Sequence, residues 1–318
     1  MTVAAIAIGR NEGARLVTCL ASLMRQASPV IYVDSGSTDG SVEAAQAAGA
    51  EVVELDLSVP FTAARARNAG LARLAELDPD GVFVQLVDGD CELRDGWIDA
   101  ALAAITADDR IAVVCGRRRE RFPEASRWNK LTDAEWDTPI GEAIACGGDA
   151  LIRRAALAEV GGYPEDMIAG EEPEMCFRMR EKGWRILRID AEMTWHDAAL
   201  TRMSQWWKRS KRAGHAFAEG AYRHGRSPER FRMTEVRRAL MWGAGVPLLT
   251  VLGLLFFGPS AVFLLLLWPA QALRLSLKGT PLQRAWFLTL GKVPEALGVV
   301  SFHWARLRGQ QREIIEYK

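Results

Sequence analysis

The chain has 318 residues, enough for one large domain or two modest ones with a buried core. Its 40 basic and 40 acidic residues cancel, so no global charge points to a nucleic-acid partner. The five cysteines (Cys19, Cys91, Cys115, Cys146 and Cys176) form no CxxC pair, which argues against a zinc ribbon and fits reduced thiols filling core space.

The chain opens on an apolar run at 3–8 that reads as a strand, without the basic region, apolar stretch and cleavage site of a signal peptide. The N-terminal part is therefore expected to stay in the cytoplasm. Asn11-Glu12-Gly13 is a turn, and Ala14–Met24 is helical by periodicity. A second strand at 30–33 runs into Asp34-Ser35-Gly36-Ser37-Thr38-Asp39-Gly40, a loop of turn and cap residues. A helix at 41–48, a strand at 51–55, a helix at 63–76 and a strand at 81–87 follow, the last running into Asp88-Gly89-Asp90. Strands alternating with helices predict an α/β fold with a largely parallel sheet, whose ligands bind at the carboxyl ends of strands. The loops after Ile8, Val33 and Val87 all carry carboxylates or amides and would converge on one edge.

From 112 to 196 the pattern is mixed. Gly147-Gly148-Asp149 leads into an apolar run at 150–153, and Gly161-Gly162-Tyr163-Pro164 is a turn. A helix is expected at 172–182, with Pro173 in its first turn and Gly183 at its end, then a strand at 184–189.

Composition shifts near Ala239. Residues 239–258 and 259–273 are apolar, too long together for one span of about 20 residues. They are interrupted by Pro247, Gly258-Pro259 and Pro269. Two short membrane segments forming a hairpin are expected. Arg237-Arg238 before it and Arg274 and Lys278 after it put both ends in the cytoplasm. The alternative is a buried hairpin in a soluble domain. Residues 282–307 interleave Trp286, Phe287, Leu297 and Trp304 with Arg284, Lys292 and Arg306, the pattern of one amphipathic helix in the membrane interface or of an ordinary surface helix. The expected organisation is a catalytic domain at 1–200, basic amphipathic helices at 201–238, the hairpin at 239–275 and an interfacial helix with a tail at 276–318.

Two carboxylates on one tight turn, as in Asp88-Gly89-Asp90, can hold Mg2+ or Mn2+ while leaving positions open for phosphate oxygens. Asp34 ends a strand ahead of any helix cap, and a carboxylate there suits hydrogen bonding to a base or ribose. Arg65, Arg67 and Asn68 share the helix before the Asp88 strand, where a guanidinium suits phosphate. Taken in order, Ile8-Gly9-Arg10-Asn11-Glu12, the 33–40 loop, Ala66-Arg67-Asn68-Ala69-Gly70, Leu86-Val87-Asp88-Gly89-Asp90, the segment 147–153, Gly161-Gly162-Tyr163 and the segment 170–179 resemble the family-2, inverting glycosyltransferases of GT-A fold. The resemblance covers roughly the first two thirds of the chain.

That resemblance implies a Rossmann-like GT-A domain, a nucleotide-diphosphate sugar donor (a uridine donor favoured), a divalent metal and inversion at the anomeric carbon. It implies nucleotide-sugar binding by Asn11, Glu12, Asp34, Arg67, Asn68, Asp88, Gly148 and Asp149. It implies metal binding by Asp90 and Asp88, with His196 as a third ligand or a structural histidine. The family's base is commonly the aspartate of a Glu-Asp pair. Here the pair is Glu171-Glu172, so Glu172 takes that position and which glutamate serves stays open. Gln205-Trp206-Trp207-Lys208-Arg209 stands near where processive members carry Gln-x-x-Arg-Trp, and departs at both final positions. It reads as an acceptor-side basic helix facing a lipid phosphate, the donor diphosphate or anionic headgroups. The expected function is transfer of a single sugar to a membrane-associated, lipid-linked saccharide acceptor at the cytoplasmic membrane, the catalytic domain facing the cytoplasm. The alternatives are a polyprenyl-phosphate sugar transferase and an inactive GT-A-fold scaffold.

Overall fold

The computed structural model describes residues 2–309. The chain divides into two units, one comprising the chain to Met167 plus Glu171–Ala199, the other Ile168–Gly170 plus the chain from Leu200 onward.

The first unit is an α/β sheet domain. It runs β1 (Ala4–Gly9), α1 (Ala14–Met24), β2 (Val30–Asp34), α2 (Ser41–Ala47), β3 (Glu51–Glu54), α3 (Ala63–Leu77), β4 (Phe83–Asp88) and β5 (Cys91–Leu93). It continues with α4 (Trp97–Thr106), β6 (Ile111–Glu120), α5 (Arg127–Glu135), β7 (Gly141–Glu142), β8 (Ala150–Arg153), α6 (Arg154–Glu159), α7 (Glu171–Glu181) and β9 (Arg185–His196). The sheet order is β3-β2-β1-β4-β8-β6-β9-β5, with β7 on β9. Strands β3, β2, β1 and β4 are mutually parallel, whereas β8 runs antiparallel to both β4 and β6. The expected α/β class holds.

Register decides where the carboxylates go. Gly9 pairs with Asp34, and Ile8 with Asp88, so the ends of β1, β2 and β4 are level at one edge. Helix α3 can lie close over β1 and β2 because it presents Gly70. A Cβ there would sit 2.6 Å from Ile6 Cγ2 and 3.0 Å from Val33 Cγ2.

The region without a clear sequence pattern contains the longest strands. Strand β6 pairs in parallel with β9 through several register shifts, and β9 runs to His196, well beyond the expected 184–189. Bulges break the two-residue alternation that marks a strand in sequence.

The second unit is helical: α8 (Met203–His224), α9 (Met233–Ala239), a π-helical turn Leu240–Gly245, α10 (Val246–Phe257), a 3-10 segment Pro259–Leu266, α11 (Leu267–Leu277), α12 (Leu282–Leu290) and α13 (Lys292–Leu307). Two continuous helical runs, Met233–Phe257 and Pro259–Leu277, are long and apolar enough to cross a membrane. Only 22% and 6% of their apolar windows are buried among the described residues. The first run starts at Met233, ahead of the expected 239.

The single helix expected over 282–307 is corrected to two, α12 and α13, parted at Gly291. Pro294 explains the break. Its ring has no N–H to donate and crowds the carbonyl four residues earlier, but it is tolerated in the first turn of a new helix. Helix α13 packs closely on α8, where a Cβ on Gly298 would lie 2.1 Å from the Lys211 carbonyl and one on Gly214 2.0 Å from the Glu295 carbonyl. Its other face leaves Leu297, Val300, Trp304 and Leu307 exposed.

Candidate active site

The edge is built by loops that bind one another. Asp34 closes β2 and is buried. Its Oδ2 accepts the backbone N–H groups of Gly36 and Ser37, each at 2.8 Å, and its Oδ1 accepts the Tyr32 hydroxyl at 2.8 Å. A carboxylate offers about four lone-pair sites, so one remains toward a ligand. Asn11 links the neighbouring loop: its Oδ1 accepts Thr38 N–H at 2.8 Å and its own N–H donates to Ser37 Oγ at 2.9 Å. Glu12 pairs with Arg15 at 2.7 Å.

Behind this rim lies a chain of buried charges. Asp149 is fully buried; its Oδ1 accepts the Asp88 N–H at 3.0 Å and its Oδ2 the Thr194 hydroxyl at 2.8 Å. Arg118 ion-pairs with Asp149 at 2.8 Å and lies 3.7 Å from Asp88. Arg67 bridges Asp88 at 2.9 Å and Glu171 at 2.8 Å. Burial works to raise the Asp88 carboxyl, but Arg67 and then Arg118 outweigh it and hold Asp88 below the ordinary aspartate value. Burial likewise pulls Arg67 down, and Asp88 and Glu171 more than offset it. Gly148 presses its backbone against this cluster, where a Cβ would meet Arg118 Nη2 at 3.2 Å and Asp88 Oδ2 at 3.4 Å.

Pairing of β5 with β9 puts Cys91 opposite His196 and so brings the histidine beside Asp90. His196 Nε2 lies 3.0 Å from Asp90 Oδ2, both side chains being buried. Two ligands in neighbouring positions of an octahedral Mg2+ or Mn2+, each at about 2.1 Å, stand about 3.0 Å apart, so this pair fits one edge of such a site. Trp136 stacks on the imidazole, centroids 4.7 Å apart, and Arg118 lies over the other ring system with its guanidinium 5.5 Å from the indole centroid.

The two glutamates part company at the start of α7. Glu171 faces Arg67. Glu172 turns inward, its Oε1 accepting the Cys146 N–H at 2.6 Å and lying 3.1 Å from Cys146 Sγ and 3.0 Å from Cys176 Sγ. Asn68 is occupied by a loop: its amide donates to the Tyr163 carbonyl and to Glu165 Oε1, and its Oδ1 accepts the Tyr163 N–H, all at 2.9 Å. Arg65 is likewise taken up by the carbonyls of Asp56 and Val59, both at 2.7 Å.

The structure thus gathers Asp88, Asp90, Asp149, Gly148, Arg67, Glu171 and His196. Asp34 and Asn11 stand on the adjoining rim, and Asn68 is bound to the 163–165 loop. Gln205, Trp206, Trp207, Lys208 and Arg209 begin α8 in the second unit. There Gln205 Oε1 accepts the N–H groups of Thr201 and Arg202, and Trp206 meets Phe287 edge-on at 5.6 Å. Sequence reasoning missed Arg118, Trp136 and the partnership of Cys146 and Cys176 with Glu172. Only the position of Arg118 in an apolar run ending in Arg117-Arg118-Arg119 offered a signal, because a charge inside a buried strand needs a partner.

Residues 6–161 match the sequence model described as glycosyl transferase family 2. A pre-mycofactocin glycosyltransferase of Mycobacterium tuberculosis is 30% identical over 229 residues, covering 66% of this chain and 45% of that protein. The succinoglycan biosynthesis protein ExoA of Rhizobium meliloti is 25% identical over 195 residues, 57% of this chain and 58% of that protein. The chain therefore spans about half the length of the curated relatives it matches. A mannosyltransferase from Pyrobaculum calidifontis, solved in complex with GDP-Man and Mn2+, superposes with a TM-score of 0.65 at 20% identity, over 95% of this chain and 87% of that one. Residues 6–161 thus carry the sequence pattern of glycosyltransferase family 2, on the GT-A fold of the solved mannosyltransferase.

Proposed function

We propose that this chain moves a single sugar, with inversion, from a nucleotide-diphosphate donor to a lipid-linked saccharide at the cytoplasmic membrane. The observation that supports this most directly is the Asp90–His196 pair next to Asp88, which Arg67 ties to Glu171, just past the level ends of β1, β2 and β4. Asp90 and His196, with Asp88, would hold Mg2+ or Mn2+, which supplies positive charge opposite the donor diphosphate. The mannosyltransferase neighbour was solved with such a pairing of donor and metal.

Asp34 and Asn11 orient the nucleoside. Glu172 is the general base, taking the proton of the acceptor hydroxyl as it attacks the sugar carbon. Its Oε1 is fixed by the Cys146 N–H, which leaves Oε2 to receive the proton. Glu171 balances Arg67 and so positions Asp88. The two apolar runs, Met233–Phe257 and Pro259–Leu277, attach the chain to the bilayer with both ends on the cytoplasmic side, where the basic start of α8 meets anionic headgroups or a lipid phosphate. A relative named for succinoglycan biosynthesis suits a glycan-building role.

The test is a donor panel on membranes containing the chain, with Mn2+ or Mg2+. Nucleoside diphosphate release and the lipid product are followed for wild type, Asp90→Ala and Glu172→Gln. The expected result is turnover of one donor and loss in both variants, by roughly 100-fold or more for Glu172→Gln. A sugar phosphodiester lipid would instead mark polyprenyl monophosphate as acceptor, and absence of turnover with any donor and metal would sink the transferase reading.

A further inference from the structure

Apart from the carboxylate–histidine cluster, the first unit contains a second group of metal-ligating atoms. Helix α7 places Glu172 and Cys176 four residues apart on one face, and the segment before β8 brings Cys146 to them. The sulfurs are 3.8 Å apart, and Glu172 Oε1 lies 3.1 and 3.0 Å from them. All three side chains are buried, Cys146 least so at 8% exposure.

These spacings match the chemistry of a thiophilic cation. Tetrahedral Zn2+ with thiolates at about 2.3 Å sets its sulfurs about 3.8 Å apart, and a carboxylate oxygen at about 2.1 Å falls about 3.6 Å from each sulfur. The sulfur–sulfur edge is therefore already of the right length. The carboxylate oxygen has only to withdraw by roughly half an ångström, which a small rotation of the Glu172 side chain supplies. Two thiolates and one carboxylate form a set that selects Zn2+ or Cd2+ over Mg2+ and Mn2+, which prefer oxygen. A fourth position is left for water. Binding displaces the two thiol protons to solvent and breaks no other bond.

The geometry points to an inhibitory Zn2+-class site made by Cys146, Glu172 and Cys176, distinct from the site of the Mg2+ or Mn2+ that assists transfer. Its occupancy ties up the Glu172 carboxylate, which rests on the reading of Glu172 as the base. A thiophilic cation would then silence transfer without displacing the donor or its metal.

The experiment uses the full chain in detergent, kept reduced with a non-thiol phosphine, and Cd2+ as the spectroscopic probe. The expected result is a thiolate-to-cadmium charge-transfer absorption that saturates at one Cd2+ per chain. It should vanish in Cys146→Ser and in Cys176→Ser and persist in Cys91→Ser, which removes the thiol nearest Asp90 and His196. Circular dichroism melts establish that each variant is folded. Absence of the band in wild type, its survival in folded Cys176→Ser, or its loss in Cys91→Ser overturns the site, whatever the enzyme's activity. With Mn2+ saturating, Zn2+ is expected to slow wild type and to leave the residual rate of Cys176→Ser unaltered. A full band with an undiminished wild-type rate overturns the silencing, while Glu172→Gln rates taken without zinc test the base separately.

Discussion

Arg67 sits where two carboxylates need a single cation. Its guanidinium spans Asp88 and Glu171 with fixed, divergent N–H groups, a task that the single ammonium of lysine performs poorly. Arg67→Met should destabilise the first unit by about 2–3 kcal/mol, because two half-buried carboxylates, Asp88 and Glu171, lose the cation they share. Chemical unfolding at neutral pH measures this. The sign of its pH dependence follows from Asp88. A carboxyl held below its ordinary value of 3.8 lends stability that is complete above that value and fades as pH falls through the lower folded value. The gap between wild type and Arg67→Met should therefore narrow below about pH 4. A gap that is constant with pH would exclude Asp88 as the partner that matters. Trp136 acts on the same cluster through the His196 ring. Trp136→Ala should weaken Mn2+ binding about tenfold and Trp136→Phe much less, as read by titration calorimetry, since a flat ring is what fixes the imidazole.

At the scale of elements, α3 shows how a helix carrying site residues is seated. Its N-terminus is capped by Thr62, whose hydroxyl accepts the Arg65 N–H at 3.0 Å, and its middle rests on β1 and β2 through Gly70. Gly70→Ala should cost about 1–3 kcal/mol through overpacking, despite the better helix propensity of alanine, and Thr62→Ala about 1 kcal/mol through the lost cap. Thermal melts that rank Gly70→Ala as neutral would show that Ile6 and Val33 can yield. The first of these effects is invisible in sequence, where a glycine inside a helical pattern reads only as a weak point. The helix itself was legible, as were β1, β2 and β4, because each is a short run with one dominant period between turn residues. Strands β6 and β9 were not, because their bulges mix the periods. The break at Gly291 was missed because apolar periodicity continues through it, although Pro294 marked it.

For the whole chain, the second unit presents side chains that water does not suit. Leu255, Phe256, Phe257 and Phe263 are between 67% and 83% exposed, all near the Gly258-Pro259 connection. The chain is expected to stay with the membrane fraction after alkaline extraction. A Phe256→Asp, Phe257→Asp double change should release a substantial part of it, since a charged residue in the apolar layer costs about 2.5–3.5 kcal/mol. If both runs cross the bilayer, a single cysteine at Ser260 reacts with an impermeant reagent only from the face opposite the catalytic domain. Labelling of that cysteine from the cytoplasmic side would show a hairpin that dips in and returns.

Sequence alone determined the class of sheet and the order of its motifs, because turn chemistry and strand periodicity are local, and it offered Asp34, Asp88 and Asp90 as candidates and, through the family resemblance, the Glu171-Glu172 pair. Tertiary structure decided what each of those groups faces. Arg118 meets Asp149 across 31 positions, Arg67 meets Glu171 across 104 and His196 meets Asp90 across 106. Those meetings are set by sheet order and by the β5–β9 register, which no local pattern encodes. The different surroundings of two adjacent glutamates arise in the same way. One turn of α7 directs Glu171 toward a guanidinium and Glu172 toward two thiols, and only the packing of α7 says which partner each one finds.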